Sequence, residues 1–354
     1  MANILYGVNG EGSGHSTRAK EVISHLQQHG HTVHVVSFDR GLKNLGEFEV
    51  TEIYGLHLEY VNNRVRYKKT VAKNLLAVPK AAKSTRDLVR QCEEWKIDLV
   101  VTDFEPLSCK VGHKLGLPVI SIDNQHTYTN CRVNYPRKYR NDAAAAKLVT
   151  KLMTPKADAY LMISFFEAPI KKKRSFLFPP IVRREILDAK PSVGEHVLVY
   201  VTAPSPDLAE TLKKVRAQFV AYGFGWEGQE GNITFKKPSL DGFMRDLVSC
   251  KAIIANSGFS LISEALHLGK PYLAVPVQSQ FEQIFNAYYI GETGYGAYWE
   301  KLDREKVDSF LFNLDVYREN LAKYPRQDNS KLLAKLDQLV ADLVPAKSRA
   351  AGAR

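Results

Sequence analysis

Short apolar runs alternate with helical stretches along this chain, and no other pattern in the sequence constrains the fold as much. In the first half the apolar runs cover residues 3–8, 32–37, 98–102, 118–122 and 159–163, with helical stretches such as 16–29 and 85–95 between them. Buried parallel strands have this pattern because helices cover both faces of the sheet. The alternation therefore predicts an α/β fold with a doubly wound sheet.

The alternation stops over residues 166–195, which are rich in proline and basic residues, and it restarts at His196. Beyond that point we predict strands at 197–202, 232–235, 251–255 and 271–275 and a helix at 206–218. A chain of 354 residues is longer than one hydrophobic core usually supports. We predict two Rossmann-like domains, 1–165 and 196–320, joined by a linker at 166–195, and a C-terminal helix and tail at 321–354 that can pack back on the first domain.

The composition is that of an ordinary globular protein with an excess of positive charge. The net charge of +11 comes from 49 basic and 38 acidic residues, and it favours nucleic acid, anionic lipid or phosphorylated substrates as partners. Four cysteines without a CxxC pair or zinc-ligand spacing indicate reduced, buried thiols in a cytoplasmic protein. The first residues show no signal-peptide pattern. Since no apolar run approaches the roughly 18–20 residues that span a bilayer, we expect any membrane contact to be peripheral.

A glycine loop follows the first predicted strand and leads into a helix. Gly10, Gly12 and Gly14 let the backbone turn sharply, and the N–H groups of the helix N-terminus attract anions. The spacing departs from GxGxxG, with His15 where the last glycine belongs. An NAD site, which Asp39 at the end of the second strand would suit, and a plain strand–helix turn are the alternatives. A histidine at the mouth of a cleft can act as a general base, so His15 is a candidate catalytic or substrate-orienting residue.

A second strand–turn–helix motif begins after the strand at 251–255, with Asn256, Ser257 and Gly258. Gly258 allows close approach, serine hydroxyls can donate hydrogen bonds, and the helix dipole favours a diphosphate. Glu264, on the same helix, can accept hydrogen bonds from ribose hydroxyls; the alternative is a solvated surface glutamate. After the next strand, polar side chains at the sheet's carboxyl end can contact sugar hydroxyls. These residues are Gln278, Glu282, Gln283 and Asn286.

Three segments resemble a known family. NSGFSLISEALHLGKPYLAVPVQSQFEQIFNA, at 256–287, resembles the donor-binding region of GT-B glycosyltransferases of family 28, the MurG-like enzymes. NGEGSGHSTR is similar to that family's N-terminal glycine loop, and PPIVR, which ends at Arg183, resembles its interdomain Pro-x-Arg element. The resemblance implies a divergent MurG-like branch with the GT-B fold, in which two Rossmann-like domains face each other across a cleft.

The resemblance also implies a division of roles across the cleft. It places the donor diphosphate near Ser257 and Gly258, the ribose on Glu264 and the nucleobase near Leu240, in the loop PSLDGF. It places the donor sugar near Glu282, Gln283 and Asn286. The implied donor-binding residues are Thr202, Ser205, Leu240, Asn256, Ser257, Gly258, Phe259, Ser260, Glu264, Gln278, Glu282, Gln283 and Asn286. The implied acceptor-side residues are Gly10, Gly12, Ser13, Gly14, Asn124, Gln125 and His126.

Two segments depart from the family pattern. Residues 202–205 read Thr-Ala-Pro-Ser where the family has a second glycine-rich loop, so Thr202 or Ser205 would have to substitute for part of the phosphate cradle. The acceptor-side segment 121–130, SIDNQHTYTN, is only loosely similar to that of MurG. We therefore expect a different acceptor.

The chemistry implied by the fold is metal-independent inverting transfer, which requires a base for the acceptor hydroxyl and positive potential for the departing diphosphate. His15 is the first candidate for the base. Asp103 and Glu105, in VVTDFEP at a strand's carboxyl end, are second candidates, or they orient His15. The helix after Gly258 would stabilise the leaving group. No cofactor or metal is expected, and the nucleotide sugar is a substrate.

A basic stretch at residues 60–86 contains eight lysines and arginines and no acid, with Leu75, Leu76 and Val78 among them. Such a stretch suits anionic lipid headgroups or a polyprenyl-phosphate carrier, and the alternative is a solvated basic helix. Arg132, Arg137, Lys138 and Arg140 form a further basic cluster.

The sequence therefore predicts a cytoplasmic enzyme. If the basic stretch binds lipid, we expect the enzyme to be a peripheral protein on the inner face of the cell membrane. It would move a sugar from a nucleotide-diphosphate sugar, a UDP-sugar first among them, to a hydroxyl of a lipid-linked or cell-envelope glycan. One alternative keeps the fold but changes the reaction to that of a sugar-nucleotide epimerase or a phosphorylase. Another is a basic lipid- or nucleic-acid-binding protein without catalysis. Nucleic acid is not expected, because aromatic residues are not interleaved with the basic runs.

Overall fold

The computed structural model describes residues 1–55, 60–61, 64–65, 78–202, 204 and 206–344. These residues form two seven-stranded sheets and a separate two-stranded hairpin. The hairpin pairs β4 (Tyr60–Val61) with β5 (Arg64–Val65). Most of the basic stretch at 60–86 lies outside the described residues, as do Ser205 and the tail beyond residue 344.

The first sheet has the order β3-β2-β1-β6-β7-β8-β9, and all its described pairings are parallel. Its central strands are buried throughout, as expected for a sheet with helices on both faces. The strands are β1 (Asn3–Val8), β2 (Thr32–Ser37), β3 (Val50–Glu52), β6 (Leu99–Asp103), β7 (Val119–Asp123), β8 (Ala159–Ile163) and β9 (Ser175–Phe178). The helices between them are α1 (Gly14–Gln28), α2 (Arg40–Asn44), α3 (Val78–Glu94), α4 (Pro106–Leu115), α5 (Thr127–Asn130) and α6 (Arg140–Met153).

The second sheet has the order β12-β13-β11-β10-β14-β15-β16 and is parallel except for the antiparallel edge pair β12–β13. Its strands are β10 (His196–Tyr200), β11 (Gln218–Tyr222), β12 (Gly228–Glu230), β13 (Ile233–Lys236), β14 (Ala252–Ala255), β15 (Tyr272–Ala274) and β16 (Gly296–Tyr298). The remaining helices are α7 (Arg184–Leu187), α8 (Pro206–Lys213), α9 (Leu240–Ser249), α10 (Phe259–His267), α11 (Phe281–Glu292), α12 (Arg304–Phe312), α13 (Leu314–Leu321) and α14 (Ser330–Leu343).

Two local predictions need correction. The segment predicted as a linker, 166–195, contributes β9 to the edge of the first sheet, since its Ser-Phe-Leu-Phe run pairs with β8. The helix predicted at 206–218 ends at Lys213, and Gln218 begins a strand. The aromatic and β-branched residues of β11 favour an extended backbone over a continued helix.

The carboxyl ends of both sheets meet in the space between the domains. Residues that follow β7 bond to the start of α11, and the loop after β1 contacts the start of α10. Helix α14 returns to the first domain, where Lys335 lies over the Phe176 ring and Asp337 pairs with His25. Ligands of open α/β sheets bind at the carboxyl ends of the strands, so the candidate site lies between the two domains.

All four cysteines are free and buried, which agrees with the sequence prediction of reduced thiols. Burial raises the pKa of Cys92 and Cys131 to about 11 and that of Cys250 to about 12, which disfavours the reactive thiolate. Among the described helices, none has the length and apolar character needed to cross a bilayer.

Candidate active site

The glycine loop after β1 is fixed by close backbone packing. Asn9 donates from its backbone N to the Asp103 carbonyl and from Nδ2 to the Phe104 carbonyl, both at 3.1 Å. A Cβ at Gly10 would overlap the Phe38 carbonyl, and Gly12 has a φ of +82°, a conformation that favours glycine. Ser13 is the N-cap residue of α1, and its backbone carbonyl accepts a hydrogen bond from Thr17 N. The glycines therefore position the first residues of α1.

His15 is held in one orientation by a buried carboxylate. Its Nδ1 lies 2.7 Å from Asp103 Oδ1, and its ring stacks on Phe104 with centroids 6.3 Å apart. The His15 side chain is 14% exposed and that of Asp103 is fully buried. Because Nδ1 faces the carboxylate, Nε2 is the ring nitrogen left for a substrate. Asp103 therefore has the position of an orienting residue, one of the two roles expected for it.

Arg18 is the site residue that sequence reasoning missed. Its Nε donates to Asp103 Oδ2 at 2.7 Å and its Nη1 donates to Asn124 Oδ1 at 3.2 Å, and the residue is buried. A sequence signal existed, because Arg18 lies three residues after His15 and so shares one face of α1. The Arg18 guanidinium neutralises the charge of the Asp103 carboxylate, and both side chains are buried.

Glu105 does not have the position of a base. It is fully buried and caps α4, with Oε1 accepting from Leu107 N at 2.8 Å and Oε2 from Ser108 N at 2.6 Å. Burial raises its pKa, and the two backbone N–H groups counteract that shift. Both carboxylate oxygens serve the helix N-terminus, so we correct the expected role of Glu105 to capping.

His126 is also turned away from the cleft. It is 3% exposed, and its Nδ1 lies 2.7 Å from Asp123 Oδ2 while Nε2 lies 3.3 Å from Thr154 Oγ1. Burial opposes ionisation of Asp123, but the charge and hydrogen bonds of His126 and Ser121 hold the pKa of Asp123 at about 2. His126 therefore fixes the turn after β7, a correction to its expected acceptor-side role.

The neighbouring amides do reach the other domain. Asn124 Nδ2 donates to Glu282 Oε1 at 2.9 Å and Gln125 Nε2 donates to Glu282 Oε2 at 3.0 Å. Gln125 Oε1 is buried with no hydrogen-bond partner among the described residues. Glu282, expected at the donor sugar, is thus the second-domain end of a network that runs from Asp103 through Arg18 and Asn124.

On the donor side, Asn256 joins the ends of three strands. Its Oδ1 accepts from Thr202 N at 2.9 Å and from Thr202 Oγ1 at 3.1 Å, and its Nδ2 donates to the Val275 carbonyl at 3.0 Å. The polar groups of the Asn256 side chain are therefore engaged by the scaffold. Asn256 therefore supports the strand ends, and Thr202 takes part in the same scaffold. The expected donor contacts of both residues stay predictions.

Gln283 and Asn286 support the turn at Ser257 from behind. Gln283 Oε1 accepts from Ser257 N at 3.2 Å and from Val277 N at 2.9 Å, and Asn286 Nδ2 donates to the Ser257 carbonyl at 3.0 Å. Asn286 is 2% exposed. Gln283 Oε1 and Asn286 Nδ2 thus bind the backbone on either side of the turn that leads into α10, and their expected contacts with the donor sugar stay predictions.

The space in front of α10 is open. Gly258 is the N-cap of this helix, and a Cβ built on it would have no described atom within 4 Å. The hydroxyl of the buried Ser257 has no hydrogen-bond partner among the described residues. Orphaned helix N–H groups, a free hydroxyl and room for a ligand together suit an anion.

The first turns of α1 and α10 touch. A Cβ on Gly14, the first residue of α1, would overlap Ser260 Oγ, and Ser260 is the second residue of α10. Two helix N-termini therefore face one region, and each contributes about half a positive charge. This contact brings the first turn of α1, which includes His15, next to the start of α10, where Gly258 is the N-cap.

The remaining donor-side residues occupy different surroundings. Leu240, expected in a loop, is the first residue of α9 and is 66% exposed. The Phe259 side chain is buried and packs near Phe165, with ring centroids 6.1 Å apart, so the expected donor contact can come only from its backbone and stays a prediction. Gln278 lies half-buried in the loop before α11.

Glu264 is buried against the interdomain segment. Its Oε1 lies 2.8 Å from Arg183 Nε and its Oε2 lies 2.9 Å from Arg183 Nη2. Burial raises the pKa of Glu264, and the Arg183 guanidinium counteracts the shift. Glu264 is only 7% exposed, so the alternative interpretation of this residue as a solvated surface glutamate is excluded.

The chain matches the family model described as glycosyl transferase family 1 over residues 2–315. A relative from Methanosarcina acetivorans, described as an uncharacterized glycosyltransferase, is 23% identical over 339 residues, which cover 83% of this chain and 84% of the relative. The family match confirms the predicted enzyme class. The matched family model is described as family 1, whereas the sequence motifs resemble family 28.

Solved glycosyltransferase structures share the whole fold. The structure of LpCGTa in complex with UDP has a TM-score of 0.70 at 15% identity, covering 98% of this chain and all of the other. MurG from Acinetobacter baumannii has a TM-score of 0.61 at 15% identity, with 96% and 99% covered. These likenesses confirm the GT-B prediction and are compatible with a divergent MurG-like branch. The chain belongs to glycosyl transferase family 1, and the protein is a glycosyltransferase with the GT-B fold.

Proposed function

We propose that this enzyme transfers a sugar, with inversion and without a metal, from a nucleotide-diphosphate sugar to a hydroxyl of a lipid-linked or cell-envelope glycan. The observation that carries the proposal is the contact between the first turns of α1 and α10. It brings a histidine that has a buried orienting carboxylate next to an open helix N-terminus suited to a diphosphate.

In the proposed reaction the acceptor hydroxyl attacks the anomeric carbon while the bond from that carbon to the diphosphate oxygen breaks. His15 Nε2 takes the hydroxyl proton, and Asp103 stabilises the imidazolium that forms. The negative charge that develops on the diphosphate is stabilised by the N-termini of α10 and α1. No step requires a metal, since the helix termini supply the positive potential.

We propose UDP as the donor nucleotide. LpCGTa, which has this fold, was solved with UDP. Leu240 offers an exposed apolar side chain on which a base can lie. Each oxygen of Glu264 retains a second acceptor site beside its contact with Arg183, so the carboxylate can still accept hydrogen bonds from ribose hydroxyls. Gln278, in the loop before α11, and Glu282, in the first turn of α11, are the residues proposed to contact the sugar.

We propose that the acceptor is presented at the inner face of the cell membrane. The net charge of +11 supports attraction to anionic lipid. Helix α6 adds an apolar and basic surface, because Leu148 and Leu152 are 59% and 69% exposed and lie beside Lys147 and Lys151. Such a surface suits shallow contact with lipid headgroups.

The test is a donor panel of UDP-, GDP- and dTDP-sugars, incubated with purified protein and with or without polyprenyl-phosphate-linked glycans. We expect release of UDP that depends on the acceptor, and a new glycosidic bond of inverted configuration by NMR. His15→Ala should lose turnover while retaining UDP binding. Acceptor-independent interconversion of the sugar would indicate an epimerase. Failure of every donor to bind would reject the proposal.

A further inference from the structure

Two histidines and an aspartate meet at the end of α1 far from the cleft. His25 lies in the last turn of α1 and His29 is the C-cap residue of that helix, whereas Asp337 comes from α14, 312 residues after His25. His25 Nε2 lies 2.9 Å from both Asp337 oxygens, and His29 Nε2 lies 4.0 Å from Asp337 Oδ2. One ligand atom from each residue lies within 4.8 Å of the others.

The ring of His29 is oriented as in a metal ligand. Its Nδ1 lies 2.9 Å from the His25 carbonyl, and a carbonyl can only accept, so Nδ1 carries the proton. In the neutral ring the lone pair is then on Nε2, which lies 4.0 Å from Asp337 Oδ2. Metal-bound histidines commonly donate their other ring N–H to a backbone carbonyl in this way, because that bond fixes both tautomer and ring orientation.

We propose that His25, His29 and Asp337 bind one divalent transition-metal ion of the Zn²⁺ class. Imidazole nitrogens bind Zn²⁺ at about 2.0–2.1 Å and carboxylate oxygens at about 2.0–2.2 Å, which brings tetrahedral ligand atoms to roughly 3.4 Å from one another. The observed separations of 2.9 and 4.0 Å bracket that value, so rotamer adjustment can close the site. The His29 side chain is 52% exposed, and water can occupy the fourth position.

The site is structural in this proposal. Two of its ligands, His25 and His29, follow His15 by 10 and 14 residues along α1 and its C-cap, so the metal would be about 15–20 Å from the proposed base. A metal there would fasten the returning helix α14 to the first domain. The inference does not depend on the donor, acceptor or mechanism proposed above.

The experiment uses untagged protein that has been dialysed against EDTA and then freed of the chelator. Co²⁺ is titrated as the spectroscopic probe, and Zn²⁺ binding is measured by calorimetry. We expect one ion per chain, a visible d–d absorption band, and a rise in Tm with Zn²⁺ that EDTA reverses. His29→Ala and Asp337→Asn should each weaken binding at least ~10-fold, in the range known for perturbed metal sites.

The matched control is His113→Ala, which removes an exposed histidine from α4 and should leave the binding constant unchanged. Circular dichroism and metal-free Tm values establish that each variant is folded. Absence of stoichiometric binding would overturn the proposal and leave His25–Asp337 as an ordinary ion pair. Equal binding by the wild type and Asp337→Asn would also overturn it, since the metal would then bind elsewhere.

Discussion

Arg183 and Glu264 form a two-point ion pair that joins the interdomain segment to the helix of the donor-side motif. Nε and Nη2 of the arginine lie 2.8 and 2.9 Å from the two carboxylate oxygens, and the side chains are 15% and 9% exposed. Nη2 donates a hydrogen bond to Oε2, and the approach of Nε to Oε1 adds charge attraction without a second hydrogen bond, so the pair restrains the carboxylate against the guanidinium. It couples the position of α10 to the chain that crosses between the domains.

Glu264→Gln should therefore affect both stability and donor binding. It leaves the Arg183 charge, whose side chain is 15% exposed, without this counterion, and removal of one partner of such a pair costs at most about 3–5 kcal/mol of unfolding free energy, the value for fully buried pairs. Denaturant unfolding and calorimetry with UDP would measure the two effects. The control is Glu185→Gln at an exposed position two residues after Arg183. Unchanged UDP affinity in a folded Glu264→Gln variant would contradict the proposed ribose contact.

His15→Ala should lower kcat about 10²–10⁴-fold, because proton transfer by a positioned base contributes about that much. The KM for the nucleotide sugar should change little, since His15 acts on the acceptor hydroxyl. Asp103→Asn should also lower kcat, because the amide no longer fixes the imidazole tautomer. Steady-state kinetics with separate variation of donor and acceptor distinguish these outcomes. A His15→Ala variant with a normal kcat would reject the assignment of the base.

Gly258→Ala tests where the diphosphate lies. The added Cβ meets no described atom within 4 Å, and the residue has an ordinary φ of −68°, so Tm should stay within a few degrees of wild type. The methyl group would project into the space assigned to the diphosphate, so the Kd for UDP should rise ~10-fold or more, equivalent to about 1.4 kcal/mol. Equal UDP affinity of the variant and the wild type would move the donor site away from α10.

Gly14→Ala should be harmful for a different reason. Its Cβ overlaps Ser260 Oγ, so either the Ser260 hydroxyl must rotate away or the first turns of α1 and α10 must separate. We expect a loss of about 1–3 kcal/mol of unfolding free energy, the usual cost of overpacking, together with reduced turnover. Ser260→Ala removes the clashing oxygen, and the double variant should recover most of the loss in a double-mutant cycle. An additive cycle would show that the two residues do not meet.

Asp123 should make the stability of the protein sensitive to acid. Burial opposes its ionisation, but His126 and Ser121 lower its pKa from 3.8 to about 2. An acid whose pKa is lower when folded contributes stability above its unfolded pKa, and that contribution is lost as the pH falls from about 4 through 2. Asp123→Asn should therefore cost roughly 2 kcal/mol at pH 6, and the difference from wild type should shrink toward pH 3. Denaturant unfolding at several pH values measures this, and a constant difference would contradict it.

Local patterns in the sequence predicted the strands near the cleft closely. The bounds 3–8, 32–37 and 159–163 agree with the observed strands, since buried parallel strands leave continuous apolar runs. Edge strands such as β9 and β12 were missed, because both are short, β9 is mostly half-buried and β12 is mostly exposed. Hydrophobic periodicity carries little signal in such elements.

The sequence by itself determined the two α/β units, the glycine turns and the helix N-termini, because these depend on residues adjacent in the chain. Only the tertiary structure decided which polar groups meet. Glu282 bonds with Asn124 and Gln125, Glu264 pairs with Arg183, and Glu105 caps its own helix instead of facing the cleft. A carboxylate's role follows from the donors that surround it after folding, and those donors come from distant positions in the chain or from backbone groups that no residue pattern reveals.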